Sequence, residues 1–135
     1  MPVPSQLAAS AYVALGGGSG AVMRYQLGRA MTHWLGPNRI TAFPWGTLTA
    51  NVLGSMAMGL LVGWLARHGH GGELWRLFIG IGLLGGFTTF SSFSLEMMLM
   101  IERHTYGLAA AYAGTSLLAG VVGLYLGLVT MRAIG

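Results

Sequence analysis

The sequence predicts an all-α membrane protein of four transmembrane helices, the third of them broken in the middle of the bilayer. Two observations carry this prediction. The 135 residues are 54% hydrophobic and 7% charged, whereas soluble domains carry about 25% charged residues. Four apolar segments are each long enough to cross the hydrocarbon core, which takes about 20 residues. The length fits one domain that covers residues 1–135.

The four predicted spans cover residues 7–31, 44–66, 74–101 and 105–131. The first span carries Arg24 and Arg29 in its last two turns, and the second carries no charge. Short polar segments connect the spans. The N-terminus lacks the basic region of a signal peptide, so we expect the first apolar segment to be retained.

Charge and cysteine usage exclude several classes of function. The net charge of +4 comes from seven scattered arginines, and without a basic cluster we expect no nucleic-acid partner. The chain has no cysteine, which excludes disulfides and thiolate metal sites. The histidines at positions 33, 68, 70 and 104 lie in predicted loops or at span ends, and we do not expect them to bind a metal.

Residues 85–94 interrupt the third span. Gly85 and Gly86 weaken a helix, and Thr88 or Thr89 is able to cap a new one. Broken backbone at this depth is tolerated only where protein or a water-filled path satisfies its polar groups. The break is therefore the candidate functional site.

The arginines give almost no orientation signal. With four spans, one side of the membrane holds Arg67, Arg76 and Arg132, and the other holds Arg39 and Arg103, with Arg29 near the interface. Membrane proteins normally show a clear excess of basic residues in their cytoplasmic loops. The near balance is compatible with insertion in both orientations and antiparallel pairing. A weak but sufficient bias, or a partner that fixes the orientation, is the alternative.

Polar side chains form stripes on three of the spans. The stripes consist of Thr47, Asn51 and Ser55 on the second span, Ser91 and Ser94 past the break, and Tyr112, Thr115 and Ser116 on the fourth. Hydrogen bonds between helices are the common use of such residues in membranes. Their recurrence beside a helix break favours the other interpretation, a row of donors that lines a path.

Phenylalanines accompany these stripes. Phe90 and Phe93 are three residues apart on the restarted helix, and Phe87 precedes the break. Ordinary packing is one explanation. The positive edge of the ring offers the other, since it attracts an anion without a trapping full charge. A pore needs binding that both admits and releases the ion. The absence of Asp or Glu near the break disfavours a cation path.

Three further features each allow more than one interpretation. The half-helix that ends near Gly85 presents backbone carbonyls, which would suit Na⁺ on a dimer axis unless neighbouring side chains satisfy them. Arg24 either reaches the lipid headgroups or makes an aqueous vestibule electropositive. Glu96 either pairs with an arginine or faces a wet vestibule.

Three motifs carry a resemblance to a known family. They are GGSGAVMRY at residues 17–25, GTLTANVLG at residues 46–54 and GGFTTFSSFSLE at residues 85–96. In these motifs the chain closely resembles the Fluc (CrcB) family of small bacterial fluoride channels. The resemblance covers all four spans, and the third motif is highly specific.

The resemblance implies a dual-topology homodimer with two antiparallel pores in the bacterial inner membrane. It implies passive export of fluoride and no enzymatic activity. Phe90 and Phe93 would coordinate fluoride, Asn51 would be the pore amide beside them, and Tyr112 would support them. The remaining implied roles are a polar track of Ser91, Ser94, Thr47 and Ser116, a structural Na⁺ on the carbonyls of Gly85 and Thr88, and vestibules with Arg24 and Glu96.

The implied mechanism needs no coupling residue. Fluoride enters as the neutral weak acid, is trapped as the anion, and leaves through an open pore because the cell interior is negative. Two other classes are compatible with a small four-span protein. A proton-coupled exporter resembling the small multidrug family needs a carboxylate in the first span, which has none. A membrane scaffold would not need polar stripes beside a helix break.

Overall fold

The structure, a computed structural model, describes residues 4–68 and 72–134. The described residues form helices and short connections, with no strand among them. The helices are α1 (Gln6–Leu35), α2 (Pro37–Ala42), α3 (Trp45–His68), α4 (Glu73–Trp75), a π-helix (Arg76–Leu84), α5 (Gly85–Phe87), α6 (Phe90–Glu102) and α7 (Tyr106–Ala133). His70 of the predicted loop lies outside the described residues, as do residues 1–3.

Three helical stretches within the described residues are long and apolar enough to cross a membrane. They are Trp45–Arg67, Glu73–Glu102 and Tyr106–Ala133, and they correspond to the second, third and fourth predicted spans. The chain is therefore a multi-pass membrane protein. At 30 residues, α1 is also long enough, but its arginines and its run of glycines make it less apolar than the other three.

Local chemistry sets the ends of the first helices. The Ser5 hydroxyl caps α1 by accepting a hydrogen bond from the Ala8 amide at 3.3 Å. At the other end, α1 continues past its predicted end to Leu35. Gly36 then stops it, because its φ of 82° is a conformation that favours glycine. The segment that was expected to be a polar connection contains the short α2, which begins at Pro37, a favoured first helical residue.

The first half of the third span, residues 73–87, packs against α1. A Cβ at Gly16 would overlap the backbone oxygen of Phe78, and one at Gly20 would overlap the backbone oxygen of Leu83. Glycine is thus required at both positions because the two backbones touch. Residues later in α1 contact residues later in the third span, so α1 runs parallel to this half of the third span.

The helices α3 and α7 form a second parallel pair. Gly59 faces Leu124, and Gly63 faces Leu128, so both contacts join residues 65 positions apart. At this seam a Cβ on Gly59 would overlap the Leu124 backbone. Small residues at spacing four, Gly59 and Gly63, thus let the two helices approach closely. At the end of the pair, the Arg67 guanidinium donates a hydrogen bond to the Arg132 carbonyl.

The third span changes neighbours at its break. Residues 73–87 contact mainly α1, whereas α6 contacts α7 and the beginning of α3. The buried cluster beside α6 consists of Leu48, Met100, Ala109 and Tyr112. The break is therefore the point at which the third span stops packing against α1 and begins to pack against α7 and the beginning of α3.

The π-helix Arg76–Leu84 was not expected. It comprises nine residues, and π-helical turns are rare and usually a single turn long. The sequence there contains no proline or polar insertion that would mark it. Gly80 and Gly82 lie on the buried face of this segment.

Candidate functional site at the helix break

The backbone leaves the helical conformation at Thr88 and Thr89. Both residues are extended, with ψ angles of 158° and 120°. The Thr89 hydroxyl then caps α6 by accepting a hydrogen bond from the Ser92 amide at 3.2 Å. The predicted break and restart are confirmed. The predicted end near Gly85 is wrong by two residues, because the Thr88 amide still donates to the Leu84 carbonyl at 3.0 Å.

The side chain of Asn51 holds the break together. Its Oδ1 accepts a hydrogen bond from the Thr89 amide at 2.8 Å, and its Nδ2 donates to the Thr89 carbonyl at 3.1 Å. Two backbone groups that a continuous helix would have paired are thus paired by one carboxamide. A hydrogen bond to another span was the alternative interpretation of the polar stripe, since a polar residue in an apolar span requires such a partner.

Two carbonyls lose their usual donors as a consequence. In a continuous α-helix the Thr89 amide would bond the Gly85 carbonyl, and the Ser92 amide would bond the Thr88 carbonyl. These amides bond Asn51 Oδ1 and Thr89 Oγ1 instead. Among the described residues, no side chain donates to either carbonyl. Gly85 and Thr88 both line a recess of about 330 Å³ at the break.

Hydroxyl groups cluster at the start of α6. Thr89 Oγ1 lies 3.2 Å from both Ser91 Oγ and Ser92 Oγ. Ser94 bonds back to its own helix, since its hydroxyl donates to the Phe90 carbonyl at 2.9 Å. Ser92 joins the cluster although the sequence did not single it out; its position three residues after the cap was the available signal.

A row of aromatic rings leads from the break into the core. The ring centroids of Phe90 and Phe93 are 5.8 Å apart, and those of Phe93 and Tyr112 are 5.1 Å apart. Tyr112 continues the row to Phe43, edge to face at 5.4 Å. Phe90 is 79% exposed, whereas Tyr112 is fully buried. The row therefore connects the surface of the single chain to the centre of the bundle.

Glu96 joins three helices beside this row. Its two carboxylate oxygens accept hydrogen bonds from the Thr47 hydroxyl at 2.6 Å and from the Tyr112 hydroxyl at 2.7 Å. Within the described residues it forms no ion pair with an arginine. It also lines a recess of about 420 Å³ to which Arg103 contributes.

Ser116 lies on α7 one turn after Tyr112, and its hydroxyl is buried without a hydrogen-bond partner among the described residues. The 65-residue offset between α3 and α7 places Ser116 at the level of Asn51. A buried hydroxyl without a partner is costly. The predicted shared face is wrong for Thr115, which is exposed while Tyr112 is buried.

Arg24 lies apart from the break. It is half-buried and lines a recess of about 490 Å³ that also includes Arg29 and Gly46. The guanidinium of Arg29 lies 6.0 Å from the centre of the Tyr25 ring. The structure thus brings the predicted residues of α3, α6 and α7 together and leaves the two arginines in a separate electropositive recess.

Known proteins share this sequence over nearly its whole length. Residues 11–128 match the model of the family described as CrcB-like protein, Camphor Resistance (CrcB). A protein of Novosphingobium aromaticivorans named "Fluoride-specific ion channel FluC" is 58% identical, covering 95% of this chain and 99% of its own. Proteins of the same name from Phenylobacterium zucineum and Erythrobacter litoralis are 52% and 50% identical, covering 90% and 93% of this chain and 94% and 93% of their own. The chain belongs to the CrcB-like, camphor resistance (CrcB) family.

Proposed function

We propose that this protein is a fluoride-selective ion channel through which fluoride leaves the cytoplasm passively, across the inner membrane of a bacterium. Similar proteins carry the name of such a channel. The observation that carries the proposal is the break held by Asn51, with its hydroxyls and the Phe90–Phe93 ring pair side by side. The combination supplies weak donors for an anion at the middle of a membrane span.

The chemistry of these groups suits a small anion. The ring edges of Phe90 and Phe93 carry partial positive charge. The Asn51 amide has two N–H groups, of which one bonds Thr89 and the other is available for an anion. The Ser116 hydroxyl is a further donor at the same level. Each of these attractions is weak, so an anion is admitted and also released.

A second copy of the chain completes this path in our proposal. Gly85, Phe90 and Ser91 are exposed on the single chain. Polar backbone at mid-membrane is not tolerated against lipid, so protein should cover it. An antiparallel homodimer with two pores would do so. Because α1 runs beside the third span, it would be a fourth span, and the balanced arginines would permit both orientations.

Such a dimer would also hold a structural Na⁺. Carbonyls at the end of a half-helix are typical Na⁺ ligands in membrane proteins, and those of Gly85 and Thr88 have lost their helical donors. One chain supplies two of them, and a two-fold axis would supply four. A density map of the dimer should show a cation there in Na⁺ buffer. A water molecule with hydrogen-bond donors around it would contradict this assignment.

The recess with Arg24 and Arg29 would be the vestibule. Two cationic side chains in a partly enclosed recess raise the local concentration of anions. The recess lined by Glu96 and Arg103 would be a second vestibule, in which the carboxylate is held by Thr47 and Tyr112.

Glu96 also supports a second candidate function, proton-coupled transport. A carboxylate within a membrane span is a common proton carrier. Passive flow and coupling differ in the driving force that they require. In liposomes with a membrane potential set by K⁺ and valinomycin and with equal pH on both sides, a channel releases fluoride. A coupled exporter would release fluoride only with a proton gradient, and Glu96→Gln would abolish that gradient-driven transport.

The decisive experiment compares phenylalanine variants in fluoride-loaded liposomes with an external fluoride electrode. We expect Phe90→Leu and Phe93→Leu to lower the rate at least about tenfold, which corresponds to losing roughly 1.4 kcal/mol of ion–ring attraction. Leucine keeps the apolar volume, so the fold should lose less than about 1.5 kcal/mol. Both variants should elute like the wild type.

Phe78→Leu is the matched control. Phe78 lies in the π-helix, away from the break, and its replacement should leave the fluoride rate unchanged. If all three variants conduct like the wild type, Phe90 and Phe93 are packing residues and the proposed path has lost its ligands.

A further inference from the structure

An apolar groove lies at the end of the molecule where α3 and α7 finish and α4 begins. It encloses about 350 Å³, and its lining presents no polar surface. The residues that line it are Leu60, Leu61, Trp64, Trp75, Ile79 and Met131. None of them lines the recess at the helix break, so the groove is separate from the proposed ion path.

Positive charge borders this groove. The Arg67 guanidinium donates to the carbonyl of Arg132, which directly follows the groove residue Met131. It thus bridges the ends of the two helices that flank the groove. Arg76, next to Trp75, forms an ion pair with Glu73 at 2.8 Å. Among the described residues at this end, three arginines against one glutamate leave an excess of positive charge.

Two tryptophans place the groove at a defined depth. The rings of Trp64 and Trp75 meet edge to face, with centroids 6.2 Å apart. Tryptophan is enriched where the hydrocarbon core meets the headgroups. The groove therefore begins at headgroup depth and extends along apolar side chains toward the hydrocarbon core.

We propose that the groove binds an anionic phospholipid. One acyl chain would lie against Leu61, Ile79 and Met131, and the phosphate would lie at Arg67 and Arg132. Anionic headgroups are attracted to basic residues at a membrane surface, and this charge complementarity selects such a lipid over a zwitterionic one with the same chains.

Tryptophan quenching by brominated lipids tests the proposal. In the full chain carrying Trp34→Phe and Trp45→Phe, the remaining fluorescence comes from Trp64 and Trp75. The protein is placed in vesicles that contain equal mole fractions of phosphatidylglycerol and phosphatidylcholine, and only one of the two carries brominated acyl chains. We expect an apparent preference for phosphatidylglycerol of about fivefold or more, the factor that one basic residue gives at an anionic surface.

Two charge variants separate a specific site from bulk lipid. Arg67→Gln with Arg132→Gln should abolish the preference, because both positive charges beside the groove are removed. Arg39→Gln, at the other end of the molecule, should keep it. The proposal is overturned if both lipids quench equally, or if the preference survives loss of Arg67 and Arg132. Absence of quenching by either lipid would also overturn it, since a second copy of the chain would then cover the groove.

Discussion

A carboxamide carries the same donor and acceptor as a peptide group, and Asn51 presents both to Thr89. The contacts measure 2.8 and 3.1 Å. At the scale of single residues this is the arrangement that makes an interrupted helix tolerable in a membrane. It also fixes the position of Phe90, the residue that follows Thr89 and begins the next helix.

Replacing Asn51 tests this role. Asn51→Ala leaves the amide and the carbonyl of Thr89 unpaired, which costs about 1–3 kcal/mol for each buried group. Asn51→Asp keeps the size but removes the donor. We expect both variants to lower the midpoint of thermal unfolding in detergent. Ser55→Ala, in the same stripe, should change it little. A normal midpoint with lost fluoride flux would mean that Asn51 serves the ion alone.

At the scale of whole helices, glycine contacts decide how closely α1 approaches the third span. Gly16 lies against the Phe78 backbone, whereas nothing lies within 4 Å of a Cβ added at Gly18. The same helix thus contains a glycine that packing requires and one that it does not.

Two alanine substitutions should therefore have opposite effects. Gly16→Ala forces the backbones apart, and overpacking of this kind typically costs about 1–3 kcal/mol. Gly18→Ala should stabilise the helix by up to about 1 kcal/mol, since alanine is the better helix former. Thermal unfolding of the two proteins in one detergent measures both effects. Equal midpoints would show that the contact at Gly16 is loose.

The helices were predictable to different degrees. The break was predictable, because Gly85, Gly86 and the capping Thr89 are local signals. Its exact end was not, because only the structure shows that the Thr88 amide still bonds Leu84. The partners of Glu96 lie 49 and 16 residues away in the chain, and no local pattern reveals contacts at such distances.

At the scale of the whole molecule, the break lies exposed on the single chain. Phe90 is 79% exposed, and no side chain of the described residues donates to the carbonyls of Gly85 and Thr88 beside it, although α3 and α7 are tightly joined. The contacts that join the helices and the exposed groups of the break thus lie on different surfaces of the chain. Neither surface follows from the sequence alone, because both require knowing which residues of distant segments face each other and which polar groups face outward.

Cysteine labelling tests the proposed dual topology. The chain contains no cysteine, so single cysteines at Ser5 and Asn38, both exposed and at opposite ends, give no background. Because the arginines are balanced, we expect an impermeant maleimide to label a fraction of the molecules at either position in intact cells. Labelling confined to one of the two positions would show a single orientation and contradict the antiparallel dimer.

The change of neighbours at Thr88 and Thr89 also divides the biogenesis of the protein. During synthesis, residues 73–87 follow α1, so the helix against which this half packs has already been made. The second half, α6, packs against α7, which the ribosome has not yet made. The polar turn between them thus separates a half whose packing surface precedes it in the chain from a half whose packing surface follows it, and its Asn51 partner precedes both.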